Sequence, residues 1–144
     1  MLARAATSSR PNAAADAVTL LVGKGARHAR EEVLRLADHL SAPMVLTLKA
    51  KEGFEDGNDF EIGQSGLIGN HATKVAFDDC DALFLVGTDF PYKDFLPAGK
   101  AVLQLDVRGT HVGRRIAVDH PLVGDARLGL EALLPLLEPK DDRR

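Results

Sequence analysis

One apolar run limits what this chain can fold into. Ala82–Val86 is apolar at every position and has the length of a β-strand. A strand that is apolar on both faces is typical of a parallel sheet covered by helices on both sides. Gly87 ends the run, and the polar and aromatic residues 88–92 follow. Because open α/β sheets bind ligands beyond the carboxyl ends of their strands, we expect residues 88–92 to lie at a binding site.

Other segments of the chain repeat this pattern of an apolar run followed by a turn. Five further runs predict a sheet of six strands: 18–22, 44–48, 62–69, 101–105 and 116–118. Helix-like segments separate most of these runs, and Asn70 and Asp125 are residue types that cap helix N-termini. Strands that alternate with helices form parallel sheets with helices on both faces. The sequence therefore predicts an α/β fold, a three-layer Rossmann-like domain with a parallel six-stranded sheet.

Two segments carry more specific expectations. Residues 49–60 are rich in turn formers and show no helical periodicity, so we predict a long loop there. In the helix predicted at 70–79, the apolar side is expected to consist of Ala72, Val75 and Ala76.

The ends of the chain differ in composition from its centre. Residues 1–17 are rich in Ala, Arg and Ser and are expected to be a linker or disordered, rather than a transit peptide. The charged residues 138–144 are expected to be a tail or linker. The segment between them, 18–137, is predicted to be one nucleotide-binding domain taken from a longer protein.

Charge and composition argue against several classes of function. The formal net charge of −3 and the scattered basic residues give no basis for nucleic-acid binding. No apolar run approaches the roughly 20 residues that cross a bilayer, and a cytoplasmic location is expected. The single cysteine, Cys80, excludes an internal disulfide and is expected to be inert packing. Histidines at metal-binding spacing and nucleophile motifs are absent, so we expect neither a metal site nor a catalytic residue.

Two glycine-rich turns lie between predicted strands and helices. Backbone N–H groups in such turns can approach a phosphate, and the helix dipole favours the anion. The first turn has Gly23 and Gly25, but His28 stands where a dinucleotide fingerprint has its third glycine, and a plain chain-reversing turn is the alternative. The second turn, 66–71 (GLIGNH), opens the helix capped by Asn70. We predict that the second turn holds a diphosphate.

Two other strand ends carry candidate contacts. Asp106 ends the fifth predicted strand, where a carboxylate can accept hydrogen bonds from a ribose; a turn-forming role is the alternative. Phe90 and Tyr92 are expected to be exposed, where they can stack on a flat ring or pack under a neighbouring domain. These positions predict a binding site rather than a complete catalytic site.

Six segments of the chain resemble, in order, the central domain of thiamine-diphosphate-dependent enzymes. They are TLLVGKGAR, APMVLTLKAKE, GQSGLIGN, DALFLVGTDFPYKDF, VLQLDVRGTHVGRR and HPLVGDARLGLEALLPLLE. GLIG with GTDFPY is similar to the flavin-binding branch that contains pyruvate oxidase and the quinone-linked pyruvate dehydrogenase. The resemblance covers nearly all of 18–137 and implies a parallel sheet that holds FAD in an extended conformation.

The resemblance also implies which residues contact FAD. They follow the second strand, form the second glycine turn and its helix start, and follow the fourth and fifth strands. Together with the glycines of the first turn, the expected cofactor-binding residues are Gly23, Gly25, Thr47, Leu48, Lys49, Ala50, Gly66, Leu67, Gly69, Asn70, His71, Ala72, Thr73, Thr88, Asp89, Phe90, Pro91, Tyr92, Asp106 and Val107. The flavin ring is expected beside residues 88–92, with the adenosine end anchored by the other loops.

Whole enzymes of this family hold thiamine diphosphate and Mg²⁺ with the help of further domains. Residues 124–126 (GDA) do not match the family's G-D-G metal motif, so neither group is expected on this chain alone. The resemblance implies a parent oxidoreductase acting on pyruvate, a homo-oligomer whose pyrimidine- and diphosphate-binding domains would be the partners. Two alternatives remain: a structural or interaction domain with a vestigial ADP-like site, and an NAD-dependent enzyme, for which no catalytic motif is present.

Overall fold

A parallel β-sheet between two layers of helices organises the computed structural model, which describes residues 16–140. The strands are β1 (Val18–Val22), β2 (Met44–Leu46), β3 (Glu61–Gln64), β4 (Ala82–Val86), β5 (Ala101–Asp106) and β6 (His120–Val123). The helices are α1 (Arg30–Leu40), α2 (Lys51–Phe54), α3 (His71–Asp79) and α4 (Ala126–Leu133). Short 3-10 helices occur at Lys24–Ala29, Leu48–Ala50, Lys93–Phe95, Gly109–His111 and Leu134–Leu136. The predicted α/β fold with a parallel six-stranded sheet is confirmed.

The strand order in the sheet is β3-β2-β1-β4-β5-β6, and each neighbouring pair is parallel. β1, β4 and β5 are buried at every position, which explains their nearly continuous apolar sequences. The chain returns from β3 at one edge of the sheet to β4 beside β1. The direction of strand addition therefore reverses between β1 and β4.

Each face of the sheet has its own apolar core, because side chains alternate along a strand. The first core includes Leu20, Phe84 and Leu103, packed with the apolar stripes of α1 and α4. The second core includes Leu21 and Leu83, with α3 contributing to it. The sheet is thus covered on both faces, and its two rims are left for loops.

The region after β2 differs from the predicted loop. β2 is shorter than expected, because the chain turns directly into the 3-10 helix that precedes α2. Phe54 of α2 is fully buried in the first core. The Arg30 guanidinium of α1 donates a hydrogen bond to the Gly53 carbonyl oxygen at 3.0 Å. The prediction of an irregular loop is therefore wrong at 49–54, where one buried aromatic side chain anchors a short helix that has no apolar periodicity, and it holds at 55–60, which form turns.

The apolar side of α3 also differs from the prediction. Thr73 and Phe77 are buried, whereas Val75 is 41% exposed and Ala72 is exposed. Phe77 sets the inward face because it is the largest apolar side chain of the helix, and Thr73 lies one turn before it. The predicted N-cap is confirmed: Asn70 Oδ1 accepts a hydrogen bond from the Thr73 N–H at 3.0 Å.

The sixth strand lies at His120–Val123 rather than at the predicted 116–118. Ile116 and Val118 are partly buried and pack on the second core. The position of β6 is set by its backbone pairing with β5, and Pro121 is tolerated there because β6 is an edge strand. The prediction from apolar side chains alone therefore placed this strand too early in the sequence.

The two ends of the described chain lie at the rim formed by the amino ends of the strands. The Ala17 N–H donates to Asp81 Oδ2 at 3.0 Å, just before β4. The Lys140 N–H donates to a carbonyl oxygen at the end of α1, shortly before β2. Most of the two predicted linkers, 1–15 and 141–144, lies outside the described residues. The domain boundaries stay predictions.

Candidate functional site

The carboxyl ends of the parallel strands form the other rim of the molecule, here called the carboxyl rim. β1 and β4 are neighbours, and an open sheet forms its ligand crevice where the strand order reverses in this way. The expected cofactor-binding residues all lie at strand ends, in loops or at helix starts of this rim. The fold therefore gathers positions that are far apart in the sequence.

The turn after β1 is closed against the turn after β4. The Gly23 N–H donates to the Val86 carbonyl oxygen at 2.9 Å, and the Gly25 N–H donates to the Gly87 carbonyl oxygen at 3.0 Å. A Cβ atom at Gly25 would lie 2.8 Å from that same Gly87 oxygen, so no larger residue fits. Gly87 has a φ of +68°, which favours glycine as well. These N–H groups are engaged, and the geometry favours a chain-reversing turn over a phosphate site.

The turn between β3 and α3 is different. Gly66 has a φ of +106°, and its carbonyl oxygen accepts a hydrogen bond from the Gly69 N–H at 2.9 Å. Among residues 16–140, no hydrogen-bond acceptor is found for the backbone N–H groups of Leu67, Ile68, His71 and Ala72. We call residues 66–72 the cradle. Free N–H groups at the start of a helix, aligned with its dipole, are a suitable site for an anion.

The side chains of Asn70 and Thr73 hold the cradle against β3. Asn70 Nδ2 donates to the Ile62 carbonyl oxygen at 3.0 Å, and Thr73 Oγ1 donates to the Gln64 carbonyl oxygen at 2.9 Å. The predicted site residues Asn70 and Thr73 therefore use their polar atoms within the protein. Gln64 was not predicted, and its side-chain Nε2 is buried with no acceptor in the described part of the chain. A buried donor of this kind needs an acceptor from outside the described chain, which a ligand or a water molecule can supply.

Residues 88–92 after β4 have one buried and one accessible aromatic ring. Phe90 is only 3% exposed and fills the second core beneath the cradle, where its Cζ would lie 3.4 Å from a Cβ at Gly66. The expectation of an exposed Phe90 is therefore wrong. Tyr92 is 44% exposed and contacts two rings edge-to-face, Phe90 at a centroid distance of 5.5 Å and Phe95 at 6.4 Å. Tyr92 is the aromatic side chain of this loop that a ligand can reach.

A cavity of about 470 Å³ opens beside this loop. Its volume lies within the range of small-molecule sites, about 300–1,000 Å³. The lining is mixed, with the apolar groups Leu67, Tyr92 and Phe95 and the charged groups Lys93, Asp94, Arg114 and Arg115. We call it the aromatic cavity. Because Leu67 belongs to the cradle, the cradle and the aromatic cavity adjoin.

Asp89 fastens two loops to each other. Its Oδ2 lies 3.0 Å from Arg114 Nη2, and its main-chain oxygen accepts a hydrogen bond from Arg115 Nε at 3.3 Å. The buried Gln104 side chain adds a hydrogen bond from its Nε2 to the Thr88 carbonyl oxygen at 3.1 Å. The predicted contacts Thr88 and Asp89 therefore hold the loop after β4 against the segment after β5, and these two arginines were not predicted.

A second cavity of about 120 Å³ lies where the ends of β1, β4 and β5 meet α4. Its lining includes His28, Asp106, Val107 and Asp125, and we call it the acidic cavity. Asp106 is 7% exposed, and its Oδ1 accepts a hydrogen bond from the Arg108 N–H at 2.8 Å. The structure thus places the predicted Asp106 and Val107 at a small cavity of the carboxyl rim.

Asp125 has two roles in this cavity. It caps α4 as predicted, because its Oδ2 accepts a hydrogen bond from the Leu128 N–H at 2.9 Å. Its Oδ1 lies 2.7 Å from His28 Nε2. The Leu128 N–H, with a further contribution from His28, lowers the pKa of the Asp125 carboxyl below its ordinary value. The carboxylate is therefore ionised at neutral pH.

The segment after β2 supplies the remaining predicted contacts. Leu48 is 61% exposed and Lys49 is also exposed, so both are accessible at the carboxyl rim. Ala50 is fully buried, and the Thr47 N–H donates to the Val22 carbonyl oxygen at 3.0 Å. Leu48 and Lys49 therefore offer exposed side chains to a ligand, and Thr47 offers a half-buried one.

Cys80 is separate from this rim. It is buried just before β4, and burial raises the pKa of its thiol, so the reactive thiolate is disfavoured. Within the part of the chain that the structure describes, no cluster of three or more His, Cys, Asp or Glu side chains is arranged to hold a metal ion. No helix among the described residues is long and apolar enough to cross a membrane.

The fold and the carboxyl rim define a Rossmann-type α/β domain with a ligand-sized cavity beside a helix start. The family described as "Thiamine pyrophosphate enzyme, central domain" matches residues 13–133 of the chain. The chain therefore belongs to the central-domain family of thiamine pyrophosphate enzymes.

Known relatives agree with this assignment. YdaP of Bacillus subtilis (strain 168), named as a thiamine pyrophosphate-containing protein, is 40% identical over 87% of this chain and 22% of its own length. An acetolactate synthase of Mycobacterium bovis is 31% identical over 87% of this chain and 21% of its own length. The chain thus spans about a fifth of these relatives. A structure from Mycobacterium smegmatis, named as a thiamin diphosphate-dependent enzyme, has a TM-score of 0.73 over 90% of this chain and 26% of its own, at 24% identity, which supports the fold.

Proposed function

We propose that this chain is the FAD-binding central domain of a thiamine-diphosphate-dependent enzyme. The observation that carries the proposal is the cradle, whose free N–H groups adjoin the aromatic cavity through Leu67. FAD has a diphosphate in its middle and a flat ring at one end. The cradle with its unpaired donors suits the diphosphate, and the cavity lined by Tyr92 and Phe95 suits the flat ring.

The residues present fit the diphosphate, a ribose and the flavin ring of this cofactor. The cradle offers backbone donors to the diphosphate, and the buried Gln64 amide lacks an acceptor nearby. Asp106 offers a carboxylate at a strand end, the position where related folds bind a ribose. In this proposal the adenosine end lies near the acidic cavity and the flavin ring near Tyr92, at the open end of the aromatic cavity.

When bound, flavin supplies the chemistry of accepting an electron pair, which no side chain of this chain supplies. The chain's own residues position it. The Asp89–Arg114 ion pair and the Gln104 hydrogen bond hold the loop after β4 in place. The loop that carries Tyr92 is therefore fixed by contacts within the domain. Such bracing limits the conformational freedom that a ligand would otherwise have to restrict.

The parent enzyme is proposed to oxidise pyruvate as the pyruvate oxidases and quinone-linked pyruvate dehydrogenases do. The support is the pair of motifs GLIG and GTDFPY, both of which line the aromatic cavity or the cradle. In this proposal thiamine diphosphate and Mg²⁺ belong to the pyrimidine- and diphosphate-binding domains, and the whole enzyme is a cytoplasmic homo-oligomer. In this chain Asp125 serves as a helix cap and histidine partner.

A titration of the 144-residue chain with FAD tests the proposal. We expect flavin fluorescence to change saturably on binding, ADP to displace FAD, and riboflavin, which lacks the diphosphate and adenosine, to bind at least about tenfold more weakly. A chain that neither changes FAD fluorescence nor gains thermal stability with FAD or ADP would contradict the proposal. That outcome would favour the alternative, a structural or interaction domain with a vestigial nucleotide site. Binding of ADP without FAD would point to an ADP-like site.

A further inference from the structure

The aromatic cavity carries an excess of positive charge. Lys93, Arg114 and Arg115 line it, and Asp94 is the one carboxylate among its lining residues. Asp89 lies behind the cavity, 3.0 Å from Arg114, and neutralises part of this charge. Three cationic side chains therefore stand against two carboxylates at this cavity.

Two of these cations keep hydrogen-bond donors for a ligand. Within the described residues, no carboxylate is within ion-pair distance of the Lys93 ammonium, and Lys93 is exposed. The Arg114 side chain is 47% exposed, and its ion pair with Asp89 uses one end of the guanidinium. Since a guanidinium has five N–H donors, donors remain that can face the cavity.

An oxidised flavin ring is neutral, and it gains negative charge at its N1 and C2=O end when an electron pair enters the ring. Nearby cations favour the charged form of a group over its neutral form, and charge near that end of the ring is one way a protein tunes flavin. We propose that Lys93 and Arg114 stabilise negative charge on the flavin ring. This inference rests on the proposed FAD function and deepens it.

The acidic cavity does not compete for this role. Its volume of about 120 Å³ is roughly a quarter of that of the aromatic cavity, and its lining includes Asp106 and Asp125. Carboxylates disfavour negative charge on a neighbouring ligand. The two cavities therefore differ in the sign of charge that they favour, and only the larger one suits an anionic ring.

Sulfite reports the proposed property without enzyme turnover. Its sulfur lone pair forms a bond to N5 of oxidised flavin, and the displaced electron pair stays on the ring as negative charge at N1 and C2=O. No other reactant is consumed. The adduct loses the visible flavin absorption, so sulfite affinity is read directly from the spectrum. We expect the FAD-loaded chain to bind sulfite at least about tenfold more tightly than free FAD does.

Three variants with the same change of charge separate the roles of individual cations. Lys93→Gln removes a cation with no ion-pair partner among residues 16–140, and Arg114→Gln removes the cation nearest to Asp89. We expect each to weaken sulfite binding at least about threefold, because each removes positive charge from the ring's surroundings. Arg35→Gln, an exposed cation on α1, is the matched control and is expected to leave sulfite affinity within about twofold of the unmodified chain.

The outcomes of this test are distinct. Equal sulfite affinity for bound and free FAD would overturn the inference and leave the proposed FAD function in place. The inference would also be overturned if Arg35→Gln weakened sulfite binding as much as Lys93→Gln does, because the loss of affinity would then reflect net charge alone. If the FAD titration that precedes the sulfite titration shows no binding, the proposed function and the inference fall together.

Discussion

At the scale of single residues, the cradle acts through backbone N–H groups, which most substitutions leave in place. His71 is the first residue of α3, where proline is tolerated because the N–H has no partner inside the helix. Asn70 before it has φ −114° and ψ 170°, an extended conformation that suits a residue preceding proline. His71→Pro should therefore remove one phosphate donor and keep the helix.

We expect His71→Pro to weaken both ADP and FAD by about tenfold or more, since a hydrogen bond to a charged group contributes about 1.5–3 kcal/mol. His71→Ala keeps the N–H and is the matched control, expected to stay within about threefold of the unmodified chain. Fluorescence titration gives the affinities, and circular dichroism melting checks the fold. If the Pro and Ala variants bind ADP equally well, the cradle is not the diphosphate site.

Substitution of the cradle glycines is a poorer probe than this N–H deletion. Gly66 has a φ of +106°, and a Cβ at Gly69 would lie 2.9 Å from the Gln64 carbonyl oxygen. A larger residue at either position disturbs the turn itself. A loss of affinity would then not distinguish a blocked phosphate site from a refolded turn.

At the scale of elements, the buried strands were predictable from the sequence because burial on both faces demands an unbroken apolar run. β1, β4 and β5 satisfy this rule. The edge strand β6 does not, because backbone pairing with β5 sets its position and its side chains are only partly buried. The short helix α2 was missed because one residue, Phe54, anchors it, and four residues carry no readable period.

The candidate site was predictable where it follows from strand ends and unpredictable where it depends on packing. A polar or glycine residue at the end of a buried run marks the carboxyl rim, as at Gly87 and Asp106. The burial of Phe90 and the placement of Arg114 in the aromatic cavity depend on contacts between distant loops. The local sequence does not indicate which side chains of a loop face the core.

The loop after β4 contains a matched pair of aromatic residues with different expected effects. Tyr92→Ala removes an accessible ring of the aromatic cavity, and we expect FAD affinity to fall about tenfold, roughly 1.4 kcal/mol, with ADP affinity within about threefold. Phe90→Ala removes a ring that is 3% exposed, and we expect it to lower the free energy of unfolding by about 3–5 kcal/mol. If Tyr92→Ala weakens FAD and ADP binding equally, the adenosine end lies at this loop. Paired titrations give the two affinities, and urea denaturation gives the free energy of unfolding.

At the scale of the whole molecule, chain connections and the candidate site occupy opposite rims of the sheet. Ala17 is bonded to Asp81, and Lys140 to the end of α1, both at the amino ends of the strands. The cradle and both cavities lie at the carboxyl ends. The described chain therefore begins and ends at the rim opposite the candidate site.

A ligand that extends along the carboxyl rim would touch both halves of the sheet, since the cradle follows β3 while the acidic cavity and the aromatic cavity involve β4 and β5. Amide hydrogen exchange can map such a ligand because binding protects the backbone that it covers. We expect ADP to slow exchange at 66–72 and 106–107, and FAD to slow exchange there and also at 92–95. Protection of 92–95 by ADP as strong as that by FAD would show that the adenosine end occupies the aromatic cavity. The orientation proposed for the flavin would then be reversed.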